Sequence, residues 1–198
     1  MSLIETEVIA ATAARLIVEE GMEYGPAKRK AARELGRSKG RALVMPSNDE
    51  LEIEVRAYIQ LFCADTQPRE LAALRNVAMA WMDRLEEFRP HLTGAVWRGT
   101  ATRLSNVHLQ LYCDDSKAAE LGLIDRRVSY DVGTLQGPRG EPIDVLTVTS
   151  QCHTLGEAVT VHLSILDHDD LRGSLKPDPL GNAKRGDLAA LRKLMEAA

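Results

Sequence analysis

An α+β fold is predicted by three features of the 198-residue chain. Over roughly the first ninety residues apolar positions recur at helical spacing. After residue 92 the period falls to two, the mark of strands with one face buried. A Gly137-Pro138-Arg139-Gly140 turn then joins two of the period-two segments, as a β-hairpin requires.

The elements follow in order. Ser2-x-x-Glu5 is a capping box that opens a first helix with Ile9, Ala13, Leu16 and Ile17 on one face, and Gly21 stops it. A second helix begins near Pro26, a good first-turn residue, and ends at Gly36. A Gly/Lys/Arg-rich connector runs over 36–46. Ser47-x-x-Glu50 is a second capping box, opening a helix that aligns Leu51, Val55, Tyr58, Ile59 and Phe62. A fourth helix is predicted over 68–88, with Leu71, Leu74, Ala78, Trp81 and Leu85 as its core stripe and Pro90 closing it. Strands are predicted at 94–98, 106–113, 128–135, 142–149 and 158–166. Asp114-Asp115-Ser116 should cap a helix over 116–125, and Asp187 a last one over 188–197. The organisation is a helical region, 1–90, followed by a domain of mixed sheet with flanking helices, 91–198.

Composition bounds the function. With 44% hydrophobic and 27% charged residues the chain can bury a sizeable core under an ordinary polar surface. A net charge of −4 argues against wholesale nucleic-acid binding and leaves room for a local basic patch. Such a patch is Lys28, Arg29, Lys30, Arg33, Arg37, Lys39 and Arg41, on the helix and connector 26–41, where RNA or a protein partner would dock. No apolar run approaches the ~20 residues that span a bilayer. The acidic, base-free start does not read as a signal peptide. Cys63, Cys113 and Cys152 are odd in number and form no CxxC, as expected of reduced thiols in a cytoplasm. Asp167, His168, Asp169 and Asp170 lack the spacing of a Ca²⁺ loop and read as a capped turn.

The chemistry concentrates in 94–115. Asn106, His108, Gln110 and Tyr112 alternate with Val107, Leu109, Leu111 and Cys113, so one face of a strand is polar and the other apolar. Thr160, His162 and Ser164 form a second polar face. If the two strands are neighbours, His108, His162 and Asp144 make a His₂-carboxylate metal set; the other reading is a solvated sheet face. Arg98, Arg103 and Lys184-Arg185 ahead of the last helix are further phosphate candidates. No G-x-S-x-G, G-x-x-x-x-G-K-[ST] or G-x-G-x-x-G occurs, so hydrolase-elbow, P-loop and Rossmann chemistry are excluded.

This segment resembles the core of the DNA polymerase β-like nucleotidyltransferases. There a strand enters a Gly-Ser turn, and a second strand carries Asp-x-Asp, often after Ser, to hold two divalent metals with a third carboxylate nearby. Gly99-Thr100 matches the turn, Ser105-Asn106-Val107-His108-Leu109 matches the Asp-x-Asp strand, and Asp144 matches the third carboxylate. Asn106 and His108 stand in place of the two aspartates. The resemblance implies a nucleotide held by Gly99, Thr100, Arg103, Ser105, Asn106 and Gln110. Asp144 and His108 would be the catalytic residues and, with His162, would hold a divalent Mg, Mn or Zn ion. Asn and His are poor Mg²⁺ ligands, so the expectation is a nucleotide-binding protein with an altered metal site, inactive as a standard transferase. The alternative is a non-catalytic protein- or RNA-interaction module. EEGMEYGPAKRKAARELG, RAYIQLF and LQLYCDDSKAAELGLIDR also look like an uncharacterised proteobacterial family sometimes labelled UDP-N-acetylmuramate–alanine ligase. That label implies ATP binding through a P-loop, which the chain lacks.

Overall fold

A computed structural model describes residues 2–35, 44–174 and 183–197, with the side chains of 2–4, 173 and 174 outside the described set. The Ser2 capping box and Arg37, Lys39 and Arg41 of the basic run therefore lie outside the described residues. The fold is α+β, with helices and one mixed six-stranded sheet. Contacts divide it into two compact units, 1–70 with 100–105, and 71–99 with 106–198.

The first unit is built on three helices, α1 (Ser2–Glu20), α2 (Tyr24–Glu34) and α3 (Asn48–Phe62). Ile9, Ala13, Leu16 and Ile17 of α1 pack with Ala27 and Ala31 of α2 and with Leu51, Val55 and Ile59 of α3, as the helical spacing predicts. Gly21 stops α1 at φ +67; a Cβ there would lie 2.8 Å from the Leu104 carbonyl oxygen, so glycine is required on both counts. The second capping box forms. Ser47 Oγ accepts from Glu50 N at 3.1 Å, and Glu50 Oε2 from Ser47 N at 2.7 Å. These bonds hold the Glu50 carboxyl below the usual carboxylate range.

Helix α4 (Gln67–Arg84) is followed by a 3₁₀ turn, Glu86–Phe88. In the second unit, β1 (His91–Thr93), α5 (Gly94–Arg98), β2 (Val107–Cys113), α6 (Ala118–Asp125), β3 (Asp131–Gln136), β4 (Pro142–Cys152), β5 (Glu157–Asp167), α7 (Asp170–Ser174), β6 (Arg185–Gly186) and α8 (Leu188–Glu196) follow. The strand order is β3-β4-β5-β2-β1-β6. Among the described residues only β2 and β5 pair in parallel, and the other pairings are antiparallel.

One expectation fails here: residues 94–98 form a helix, and the strand before them is 91–93. Gly94 breaks the strand at φ +73. Arg75 then takes carbonyls that a strand would pair, donating from Nε to Val96 O at 3.2 Å and from Nη2 to Trp97 O at 3.5 Å. Gly99 N closes the turn onto Ala95 O at 2.9 Å. The helix predicted over 116–125 starts later, at Ala118, because Asp115 Oδ1 caps the preceding turn through Lys117 N at 2.9 Å. Asp187 caps α8 as expected, accepting from Ala190 N at 2.8 Å.

Register gives the sheet two unlike faces. Leu92, Leu109, Leu163 and Leu146 align across β1, β2, β5 and β4, each at most 2% exposed. Each such leucine stabilises the fold by about 1.5–3 kcal/mol. Gly186 and Val132 extend this row to the two edges. Trp97 of α5 lies flat against Gly186, and Phe88 fills the space over Gly122 of α6. The next residue on each strand points the other way.

Candidate functional site

The opposite face carries the polar residues. In register across all six strands stand Arg185, Thr93, His108, His162, Thr147 and Asp131. The next row on the same face holds His91, Gln110, Ser164 and Val145. The alternation read from 106–113 therefore holds, with a second polar strand beside it. The β2–β5 pairing stacks the rings of His108 and His162, with centroids 5.0 Å apart and planes 28° from parallel. Thr147 Oγ1 lies 3.0 Å from His162 Nδ1 and fixes that ring. The histidines and Thr147 are half-buried.

Beside them is a tighter patch. Tyr112 is fully buried and donates to Gln110 Oε1 at 3.1 Å, while the His91 ring meets it edge-on at 5.3 Å. Arg185 donates from Nη1 to Gln110 Oε1 and, at 3.1 Å, to Tyr112 Oη. Its Nε–H is buried and has no hydrogen-bond partner among the described residues. The backbone around it is clamped: Thr93 Oγ1 donates to Lys184 O at 3.3 Å and Trp97 Nε1 to Ala183 O at 2.7 Å.

Asp144 does not join this row. It lies one residue from Val145 and one before the Leu146 row, so its side chain belongs to the leucine face, opposite His108 and His162. There it lies 3.9 Å from Lys117 Nζ. The expected His108–His162–Asp144 set is thus split by the sheet. Among the described residues no three His, Cys, Asp or Glu side chains are grouped to hold a metal. Asp131, on the outer strand, is the one strand carboxylate on the polar face among the described residues. Two bound Mg²⁺ ions need several carboxylate oxygens beside the phosphates, and this donor set does not fit them.

The predicted phosphate turn also shifts. Gly99 is the C-cap of α5, at φ +85, and the glycine at the end of β1 is Gly94. A Cβ on Gly94 would lie 3.4 Å from His108 Cδ2, so this glycine packs its backbone against the polar row. The spacing from residue 93 could have revealed it, had the strand been placed there. Thr100, Arg103 and Ser105 belong to the first unit. Thr100 is 2% exposed with its hydroxyl unpartnered among the described residues, and Arg103 N donates to Glu70 Oε2 at 2.9 Å. Ser105 Oγ accepts from Thr102 N at 3.0 Å, closing a turn. Asn106 is half-buried at the start of β2.

Elsewhere, Lys28 Nζ is held by Pro46 O at 3.0 Å and Asn48 Oδ1 at 2.9 Å, and Lys30 pairs with Glu20 at 2.6 Å. Those two members of the basic run are committed within the helical unit. The 167–170 cluster is the capped turn expected, with Asp169 N on Asp167 Oδ1 at 2.8 Å and Arg139 on Asp170 at 2.8 Å. Among the described residues no helix is long and apolar enough to cross a membrane.

No protein-family model and no curated protein matches the chain. Two solved structures align with part of it. One is a cytoplasmic RNA terminal U-transferase, at 17% identity and TM-score 0.37 over 60% of this chain and 39% of that one. The other is Cid1 in complex with the UTP analogue UMPNPP, at 15% identity and TM-score 0.37 over 61% of this chain and 40% of that one. The chain therefore spans well under half the length of either, and neither likeness is to a muramate–alanine ligase.

Proposed function

We infer that this chain is a nucleotidyltransferase-like protein that binds a nucleotide through its phosphates, without the metal pair of a standard transferase. The observation that carries the reading is Arg185, held by Gln110 and Tyr112 with a buried Nε–H that no described residue accepts. A buried guanidinium donor left unsatisfied is costly, and a phosphate oxygen is the acceptor it suits best. The rest of the face places little negative charge near it: His108 and His162 lie alongside, and the carboxylate on this face of the described strands, Asp131, is at the far strand. The order of parts agrees too, since β1 runs into Gly94, and Asn106, just ahead of β2, and His108 within it stand where the family resemblance has its aspartates. Arg185 would neutralise phosphate charge directly, the imidazoles would offer ring N–H donors, and Thr93 and Thr147 would supply neutral contacts at either side.

Thermal unfolding in EDTA against ATP, GTP, CTP and UTP tests this. One nucleotide at about a hundred times its Kd should stabilise by about 2.7 kcal/mol, a rise of roughly 5–10 °C for a chain this size. Arg185→Ala should remove that rise while leaving the ligand-free midpoint within about 2 °C. A rise that needs Mg²⁺, Mn²⁺ or Zn²⁺ would replace direct phosphate contact by a metal site. No rise with any nucleotide would sink the reading.

A further inference from the structure

Arg185 begins on one row of the polar face and ends on the next. Its Cα stands opposite Thr93, but its guanidinium binds Gln110 and Tyr112. Gln110 is paired across the β1–β2 ladder with His91. Residues so paired hold their Cβ atoms about 4.5–5.5 Å apart. The head group of Arg185 thus lies over the row of His91, one row away from His108 and His162.

His91 is 7% exposed, and its Nδ1 lies 2.9 Å from the Arg89 carbonyl oxygen. A carbonyl can only accept, so Nδ1 carries the hydrogen and Nε2 is the bare nitrogen of the neutral ring. Nε2 makes no hydrogen bond among the described residues, and it still reaches the surface. The carbonyl that fixes this ring belongs to a strained residue. Arg89 has φ 48 and ψ 57, a left-handed conformation rare for a side chain of its size, and Pro90 after it favours extended backbone. Arg89 N donates to Glu86 O at 3.0 Å and its Nη1 to Tyr112 O at 3.2 Å, which hold it there. Strain of this kind persists where the surroundings impose it, and ligand sites are where it gathers.

The donors and acceptors left over define what fits. Gln110 Oε1 already accepts from Tyr112 and Arg185, and Tyr112 Oη both donates and accepts. Among the described residues this leaves the Arg185 Nε–H and the amide N–H groups of Gln110 as donors, and His91 Nε2 as an acceptor. Sulfate or a phosphodiester offers acceptors alone and would set an oxygen lone pair against Nε2. A phosphate that keeps one O–H satisfies both kinds of group.

We propose that His91 and Arg185 together bind a phosphate group carrying an O–H, in preference to sulfate or a diester. Its source is hydrogenphosphate itself or the protonated terminal phosphate of a nucleotide. The inference rests on the phosphate reading of Arg185 and adds His91 as the residue that selects.

Isothermal titration calorimetry of the full chain at pH 8 tests it, because phosphate and sulfate are then both mainly dianions of one shape and differ in the single O–H. Phosphate should bind about tenfold or more tighter than sulfate, since sulfate leaves a buried acceptor unmatched. His91→Gln can turn either end of its amide to the ligand, so it should bind the two within about threefold of each other. Arg185→Ala should lose both. At pH 6 about half of a nucleoside monophosphate carries the proton. Displacement of bound phosphate by one of the four then identifies a nucleotide as the source, and displacement by none assigns the site to free phosphate; the selection stands in both cases. Equal binding of phosphate and sulfate by the native chain, or the full preference kept by a folded His91→Gln protein, would overturn the role of His91 and leave the Arg185 anion site standing. The native comparison decides even if His91→Gln fails to fold. A chain that binds neither anion while a nucleotide still raises its thermal midpoint would overturn the selection alone. Phosphate binding that survives Arg185→Ala would take down the phosphate reading with it.

Discussion

Arg185 reaches the polar row only because Gly186 beside it has no side chain. A Cβ on Gly186 would overlap the Trp97 ring, which also holds Ala183 O through its indole N–H. Gly186→Ala should therefore cost about 1–3 kcal/mol, measured by urea unfolding, and loosen Arg185 with it. Arg75 acts at the same scale. It is 7% exposed, burial lowers its pKa, and it donates to two carbonyls of α5. The thiols divide by burial. Cys113, at 5% exposed, is pushed up to about 11 by burial first, whereas Cys63 is only half-buried. Iodoacetamide at pH 8 should label Cys63 first and leave Cys113 unmodified until the chain unfolds, as peptide mass mapping would establish. Single residues were read well where alternation governs them: His108, Gln110 and His162 all stand on the polar face. Asp144 was not, because which way a residue on β4 points depends on its register with β5, and register is invisible in the strand itself.

The elements were legible in proportion to their length. Helices α1, α3 and α4 each hold several turns of apolar repeat, and the long strands hold enough alternation to reveal the period. Ala95-Val96-Trp97-Arg98 is too short for either period to declare itself, and Arg75, some twenty residues earlier, decides that it coils. Strand β6, two residues long, leaves no pattern at all. At this scale Ser47→Ala should lower stability by about 1 kcal/mol in chemical denaturation through loss of the α3 cap. Between α1 and α3, Tyr58 donates to Glu19 at 2.5 Å and holds that carboxyl below its usual 4.5. A depressed carboxyl stabilises the fold above its ordinary value, and that contribution is lost as the pH falls through the lowered one. The thermal midpoint should thus drop less between pH 5 and pH 3 in Tyr58→Phe than in the native chain, read by circular dichroism.

For the whole molecule, the α+β class was visible in the change of period, but the order of strands was not. Sequence neighbours suggest a meander, and β3, β4 and β5 do follow one another in that way. The single parallel pairing, Val107 with Val161 through Cys113 with Asp167, breaks the series and brings the two histidines side by side. That pairing has a kinetic consequence. The β4–β5 hairpin closes a turn of a few residues between Cys152 and Glu157, whereas β2 must find β5 across three intervening elements. Pulse-labelling exchange during refolding should protect the amides of β4 and β5 before those of β1 and β2. Until that late step the chain carries its two imidazoles on separate pieces of half-made protein, and a newly synthesised molecule acquires its polar row only as its last long-range contact closes.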